Sequence, residues 1–525
     1  MTLGAAVQTS LLRREEAAER HRKDPRGRMK TDSMRSSTRI PTPCEVGKDG
    51  TVWSTIHPGG HPGGRHQAQN VLTESAGPTA FAKRNIEDAQ SAFSCLLDQK
   101  MLHHVCKCTV AEAHRVEKNN QWDLTVRELK AFLALLFVRG VYNKNIEMES
   151  FWSEEWGLAF FNSTMPRSRY REIMRFDKKE SRRARLSTDK FALMSHVWRS
   201  FVNNCVACYK PGPNITVDEQ LFPTKARCRF TQYMANKPDK FGIKFWIAAD
   251  VETKYMLNAF PYLGKDLSRP KSQSVGESVV MRLMEPYLGK GRNVTTDNFF
   301  TSLTLSKSLL KRNTSLVGTM KKARRELPPS VASQRGELFA TKLLRHERSI
   351  LTVYQGKPKK SVALLSSMHH TVAIGTDRKR KPETVTFYNT TKVGVDVLDQ
   401  MARLYSVKGA TRRWPVAVFC NILDMAAINA YILCKRCMPS NIARRAFILQ
   451  LAGELRAEHV CAKAGPAIEC PLAEPQQTDK RRQCQVNIHC KQNKTKVCRG
   501  GCKRPVCGKC TVRVETFCSN CVPLS

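Results

Sequence analysis

Four acidic residues carry the first chemistry in this chain. Asp250 ends the apolar run Phe245-Trp246-Ile247-Ala248-Ala249, and Asp297 ends Asn293-Val294-Thr295-Thr296. Asp396 and Asp399 lie three apart just after Gly394, a spacing that puts both on one face of a helix. Carboxylates crowded together repel one another unless a cation binds, and oxygen-only sites suit Mg²⁺ or Mn²⁺. Two such ions side by side activate water, steady a leaving oxygen and favour in-line displacement at phosphorus. Acids at strand ends and helix starts also cap backbone groups, so spacing alone leaves both readings open.

The second constellation is a cysteine-dense tail. Of 20 cysteines, eight fall at Cys484, Cys490, Cys498, Cys502, Cys507, Cys510, Cys518 and Cys521. Cys507 with Cys510, and Cys518 with Cys521, have the spacing of tetrahedral Zn²⁺ knuckles, and eight thiols supply two closed structural sites with His489 as a spare. In so short a segment the metal would provide most of the folding free energy. A secreted disulfide scaffold would be smaller and rich in cysteine throughout.

These groups sit in a strongly basic chain. The 525 residues allow three or four domains at roughly 150 residues each. Lys and Arg number 87 against 46 Asp and Glu, a net charge of +41 that points to a polyanionic partner, foremost nucleic acid. With 41% hydrophobic residues there is material for a real core, which excludes wholesale disorder. No uninterrupted apolar run reaches the roughly 18 residues of a membrane span. The best stretch, Ala417 to Cys434, contains Asn421, Asp424 and Asn429 and reads as a buried helix. Leu11 to Glu16 has no apolar core of a secretory signal, so a soluble intracellular protein without membrane partners is expected.

The elements that must position the acids follow from local pattern. Residues 1–84 are basic, polar and Gly/Pro-rich around His57–Gly64, and are expected to be mostly disordered. Residues 85–213 read as helical: Thr125 to Glu128 fits a capping box, with Leu129, Phe132, Leu133, Leu136 and Phe137 at helical spacing behind it. Phe151, Trp152, Trp156, Phe160 and Phe161 are expected in the core. From Asn214 the texture becomes strand, hairpin, helix, strand and helix through 320, an α/β pattern. Residues 321–383 form a β-rich block with basic edges, helical texture resumes near Val395, and the Lys480-Arg481-Arg482 linker leads to the cysteines.

Several of these segments, in this order, resemble the piggyBac family of transposases. They are Ile215-Thr216-Val217-Asp218-Glu219-Gln220, Lys254-Tyr255-Met256, Pro261-Tyr262-Leu263-Gly264 and Thr296-Asp297-Asn298-Phe299-Phe300-Thr301-Ser302. The most specific are Tyr388 through Met401 and Thr411-Arg412-Arg413-Trp414-Pro415. The resemblance covers about 46–525. It implies a multidomain α+β or α/β fold with an RNase H-like catalytic core at 214–320 and 384–400 and an insertion domain at 321–383. It further implies a split helical dimerisation and DNA-binding domain at 85–213 and 401–465, a linker at 466–482, and a cross-brace zinc domain at 483–525.

By the same resemblance Asp250, Asp297 and Asp396 form a metal-binding catalytic triad with Asp399 as an additional acid, while Asp218 and Glu219 play supporting roles. The implied activity is two-metal cut-and-paste transposition at TTAA sites, using Mg²⁺ or Mn²⁺, in the nucleus, as a homodimer on double-stranded DNA. Arg412 and Arg413 would contact phosphates. One zinc would be shared by Cys484, Cys490, Cys507 and Cys510, the other by Cys498, Cys502, Cys518 and Cys521. Two departures stand out: the segment at Arg171 to Asp177 is about three residues short, and Asn487 occupies a usual cysteine position, leaving His489 or Cys490 to substitute. A domesticated, catalytically silent DNA- or chromatin-binding descendant is the alternative.

Overall fold

A computed structural model describes residues 43–59, 71–118, 120–142, 147–175, 189–235, 237–265, 269–270, 273–333, 336–438, 441–463, 477–484, 494–497, 505 and 507. The chain divides after Pro43, and the architecture below is that of the unit beginning at Cys44.

One sheet of eleven strands organises this unit. Its strands are β1 (Cys44–Val46), β2 (Val52–Ile56), β5 (Asn214–Pro223), β6 (Thr231–Tyr233), β7 (Phe241–Asp250), β8 (Met256–Pro261), β9 (Asn293–Thr296), β10 (Ser315–Met320), β11 (Thr341–His346), β12 (Ser349–Lys357) and β13 (Lys360–Ser366). They run in the order β1-β2-β11-β12-β13-β10-β9-β5-β7-β6, with β8 also on β7. Only β5 with β9 and β9 with β10 are parallel; every other pairing is antiparallel. Two-residue strands β3 (Gly77–Pro78) and β4 (Tyr209–Lys210) pair separately.

Helices precede and follow the strands. The first group comprises α1 (Ala80–Asn85), α2 (Ala89–Ser94), α3 (Gln99–Glu117), α4 (Val126–Tyr142), α5 (Ala159–Thr164), α6 (Arg167–Arg175) and α7 (Ser195–Cys208). The first helices are capped by side chains: Thr79 accepts from Ala82 N at 3.3 Å, Asp98 accepts from Met101 N at 2.9 Å, and Asp88 and Ser91 form a reciprocal box. At α4 only half of the expected box forms. Thr125 accepts from Glu128 N at 3.1 Å, while the Glu128 carboxylate instead grips Arg169 at 2.7 and 2.8 Å. Within the sheet region lie α8 (Val275–Met284), α9 (Leu303–Leu310) and α10 (Pro329–Ser333). The last group is α11 (Glu383–Thr391), α12 (Gly394–Leu404), α13 (Trp414–Cys437) and α14 (Arg444–Lys463).

Helix α13 is the keystone between helices and sheet. It is the one helix among the described residues long and apolar enough to cross a membrane, and 83% of its most apolar window is buried inside the protein. Its buried polar residues each bond a neighbour: Asn421 donates to Gln220 Oε1, Asp424 accepts from Val407 N, and Asn429 reaches β8. Asn429 brackets the backbone of Met256 on β8, accepting from its N–H at 2.8 Å and donating to its carbonyl at 2.9 Å.

The structure departs from the sequence reading at four places. Residues 44–56 form a hairpin that pairs with β11, and Trp53 is completely buried with its indole N–H on the Glu326 carbonyl at 2.8 Å. A five-residue strand has too little local pattern to announce itself; its stability comes from a partner nearly 300 residues away. The β-rich block at 321–383 is hydrogen-bonded into the same sheet through β13 on β10. Trp156 is 80% exposed, unlike Phe151 and Phe161, which are buried. Lys480-Arg481-Arg482 lie in a strand, β14 (Gln477–Gln483), that pairs with β15 (Lys494–Val497).

Candidate active site

The parallel pairing of β5 and β9 brings two acids side by side. Val217 is in register with Thr296, so the next residues, Asp218 and Asp297, are neighbours at the same end of the sheet. Side chains alternate along a strand, so Thr216, Asp218 and Gln220 share one face. That face receives α11 and α12. Thr216 Oγ1 donates to the Thr391 carbonyl at 2.5 Å, and Thr295 Oγ1 donates to Thr391 Oγ1 at 2.9 Å. Gly394 opens α12 against β5 so tightly that a Cβ there would sit 2.7 Å from Thr216 Oγ1, which explains the glycine.

Helix α12 is then pinned across β5 by its second acid. Gln220 Nε2 donates to Asp399 Oδ1 at 2.9 Å, Arg403 Nε donates to Asp399 Oδ2 at 2.9 Å, and Asn421 Nδ2 of α13 donates to Gln220 Oε1 at 3.0 Å. Asp399 Oδ1 thus ties helix to sheet directly, while Oδ2 holds Arg403 of the same helix, whose Nη2 donates to the Leu221 carbonyl of β5 at 3.3 Å. Asp396, nearly one turn earlier, is 64% exposed and has Lys237 Nζ 3.9 Å from its Oδ1.

Asp250 lies elsewhere. Because β7 runs antiparallel to β5, Asp250 pairs with Ile215, three residues back along β5 from Asp218. At about 3.3 Å per residue that is roughly 10 Å away, toward the opposite end of the strand. Its carboxylate is 1% exposed and fully used: Oδ1 accepts from Gly212 N at 2.8 Å, and Oδ2 accepts from Thr253 N at 2.8 Å and Thr253 Oγ1 at 2.7 Å. This is a buried turn clamp, and in the sheet register Asp250 stands level with Ile215 and Val294, three residues short of Asp297. Asp218, expected only in a supporting role, is the acid that the register sets level with Asp297.

The electrostatics single out the same end of the sheet. Burial raises the Asp218 carboxyl well above the usual carboxylate range, and the charges of Glu219 and Asp297 push it the same way. Burial likewise raises Asp297; Glu219 adds to the rise, while the Phe299 N–H, donating to Asp297 Oδ1 at 2.9 Å, opposes it. A lysine answers this charge: Lys244 Nζ lies 4.0 Å from Glu219 Oε2 and 3.9 Å from the Trp246 ring centroid. Burial pulls its pKa down, and Glu219, Asp218 and Asp297 pull it back up. Trp246 in turn stacks on Phe299 with centroids 5.5 Å apart.

The oxygen-only donors Asp218, Asp297 and Asp396 fit a hard divalent cation in kind: they are mutually repelling, and ammonium groups are drawn in around them. Among the described residues no three His, Cys, Asp or Glu side chains are close enough to form a finished ligand set. Of the tail cysteines, Cys484, directly after β14, and Cys507 are buried. Cys490, Cys498, Cys502, Cys510, Cys518, Cys521 and His489 lie outside the described residues.

The two arginines expected at phosphates separate. Arg412 is exposed, whereas Arg413 turns inward and donates to the carbonyls of Met174 and Arg175 at the end of α6, the latter at 3.1 Å. Trp414 beside it is core, stacked on Phe191 at 5.6 Å.

Comparison with known proteins identifies the class. A family model described as Transposase IS4 matches residues 88–431, well over half of the chain, and the fold and acidic end just described lie largely within that span. The chain belongs to this transposase family and, within it, to the piggyBac type. It is 24% identical over 360 residues to the human (Homo sapiens) PiggyBac transposable element-derived protein 3, covering 65% of this chain and 60% of that one. With the human PiggyBac transposable element-derived protein 2 it shares 22% identity over 347 residues, 61% of this chain and 57% of the relative. The chain thus spans about 60% of the length of these curated relatives. Among solved structures it resembles a piggyBac transposase synaptic complex with hairpin DNA, with a TM-score of 0.71 and 28% identity, over 86% of this chain and all of that one.

Proposed function

We propose that this chain is a piggyBac-type DNA transposase that cuts and joins strands at TTAA sites, with Asp218, Asp297 and Asp396 as the acids that hold its divalent ions. The observation that carries the reading is the register of β5 and β9, which sets Asp218 beside Asp297 beneath the helix bearing Asp396. Bound Mg²⁺ or Mn²⁺ would activate the attacking oxygen and stabilise the leaving one. The chain's own residues do the positioning. Gln220, Asp399, Arg403 and Asn421 fix α12 on β5, and the Phe299 N–H orients the Asp297 carboxylate. In this reading the core is RNase H-like, the substrate is double-stranded DNA bound by a homodimer in the nucleus, and the C-terminal cysteines hold two structural Zn²⁺ ions. The hairpin DNA held by the similar synaptic complex and the net charge of +41 support the choice of partner.

A second reading rests on a specific observation. The exposure of Asp396 and the unassembled ligand set would equally suit a silent descendant that binds DNA without cutting it. A cell-based excision assay separates the two, using a reporter interrupted by the flanking element from TTAA to TTAA. Precise repair with the native chain and none with Asp297→Asn supports the enzyme. Silence from both, with DNA binding retained, transfers the assignment to the binding protein.

A further inference from the structure

The turn between β6 and β7 reaches over the acid site and delivers a cation to it. Its backbone is closed by Met234 N on the Lys240 carbonyl at 2.8 Å and Lys237 N on the Met234 carbonyl at 3.2 Å. From this turn two charged side chains cross to α12. Asp239 Oδ2 accepts from Arg403 Nη1 at 2.5 Å, and the Lys237 ammonium stands 3.9 Å from Asp396 Oδ1. The same ammonium donates to the Glu219 carbonyl at 3.4 Å, so it lies between α12 and the Asp218-Glu219 segment of β5. The Lys237 side chain is 21% exposed, within reach of solvent but held by the protein.

We propose that Lys237 is a resident counter-cation of the acid site, filling the charge position between Asp396 and β5 that an entering divalent ion must take over. The inference rests on the acid assignment proposed above. Asp218, Glu219 and Asp297 feel one another's charge at one end of the sheet, with Asp396 on the helix that crosses it, and like charges brought near one another need positive charge to persist. Lys244 supplies one such charge, but it is lodged against Trp246 beside Glu219. Lys237 is the ammonium that touches an acid of α12, and it comes from a turn. A like charge this close to a metal site lowers divalent-ion affinity directly. Lys237 is therefore a positioning residue: it holds Asp396 toward β5 before metal arrives and sets how strongly metal must bind to displace it. The Asp239–Arg403 contact keeps the turn on α12 when Lys237 is changed.

The test is Mn²⁺ binding to the full chain without DNA, read as the loss of free-Mn²⁺ electron paramagnetic resonance signal, with the Asp297→Asn chain subtracted as background. Lys237→Met is expected to bind Mn²⁺ on the order of tenfold more tightly than the native chain. Lys237→Arg, which keeps the charge, should stay near the native affinity. Lys237→Gln repeats the measurement should the methionine variant fail to fold. Native and Lys237→Met affinities within about twofold of each other, or equal tightening in Lys237→Met and Lys237→Arg, would overturn the proposal. If native and Asp297→Asn chains bind Mn²⁺ alike, the acid assignment itself fails, a result distinct from the failure of Lys237.

Discussion

Asparagine at Asp250 and asparagine at Asp218 should have opposite consequences, and the contrast decides which acid belongs to the site. At Asp250 the carboxylate answers three donors in a buried position, from Gly212 N, Thr253 N and Thr253 Oγ1. An amide keeps one oxygen for Gly212 but presents N–H to the Thr253 N–H, leaving a buried donor unanswered. That loss costs about 2–3 kcal/mol, a fall in Tm of about 4–12 °C at about 2–4 °C per kcal/mol for a domain of about 150–250 residues. Asp218 is the reverse case. Burial and the charges of Glu219 and Asp297 already penalise its ionised form, so removing the charge should leave Tm unchanged or raise it. Its effect falls on chemistry instead. Outer-shell partners of a metal site already cost about 10–100-fold when removed, so loss of a direct ligand should cut strand nicking by at least ~100-fold. The assay pairs a thermal melt with Mg²⁺-dependent nicking of a labelled duplex carrying an element end beside TTAA. A chain with Asp250→Asn that melts like the native protein yet cannot nick, together with an active Asp218→Asn, would refute the assignment. The melting half of the comparison holds even for a chain that has lost its activity.

Three further outcomes follow from the same contacts. Asp297, whose folded pKa is raised, contributes stability that is complete below the ordinary carboxylate value of 3.8 and is lost as pH rises through its folded pKa. Asp297→Asn should therefore gain stability on the native chain as pH climbs from about 4, which denaturant titrations at stepped pH will show; parallel curves would contradict the raised pKa. Arg413→Ala strips the α6 carbonyls of Met174 and Arg175 of their donor and should cost about 1–3 kcal/mol. The slope of DNA affinity against salt should not change in this variant, whereas loss of a phosphate contact would reduce that slope by about one. Trp53→Ala removes a completely buried indole and its bond to Glu326, and should destabilise by about 3–5 kcal/mol, with amide exchange of β1 and β2 accelerating first.

Much of the fold can be read locally. The strands at Asn214, Phe245 and Asn293 and the helices at Ser274 and Leu303 announce themselves through apolar runs and capping residues, and the structure places elements at each. Helix α13 is equally legible, because a long apolar stretch broken by Asn421, Asp424 and Asn429 makes sense where each of the three side chains bonds a neighbour in the core. What local pattern cannot carry is long-range pairing. The hairpin at 44–56 and the joining of β11 to β13 with the main sheet depend on registers between distant segments, and the basic composition around them points to separate or unstructured regions.

The position of Asp250 shows the same limit at the site. Asp250 and Asp297 look alike in sequence, each closing an apolar strand, whereas Asp218 sits inside a longer run that continues through Pro223. Strand direction separates them. A residue at the C-terminal end of β9 meets the middle of β5 because the two strands are parallel, and one at the C-terminal end of β7 meets the start of β5 because those strands are antiparallel. Two identical endings therefore lie roughly 10 Å apart along β5. The hairpin is visible from the turn at Val251 to Lys254, which makes β7 and β8 antiparallel but leaves β5 against β7 undetermined. Only the direction of β5 decides that Asp297 finds Asp218, and that Asp250 closes a turn on Gly212 and Thr253.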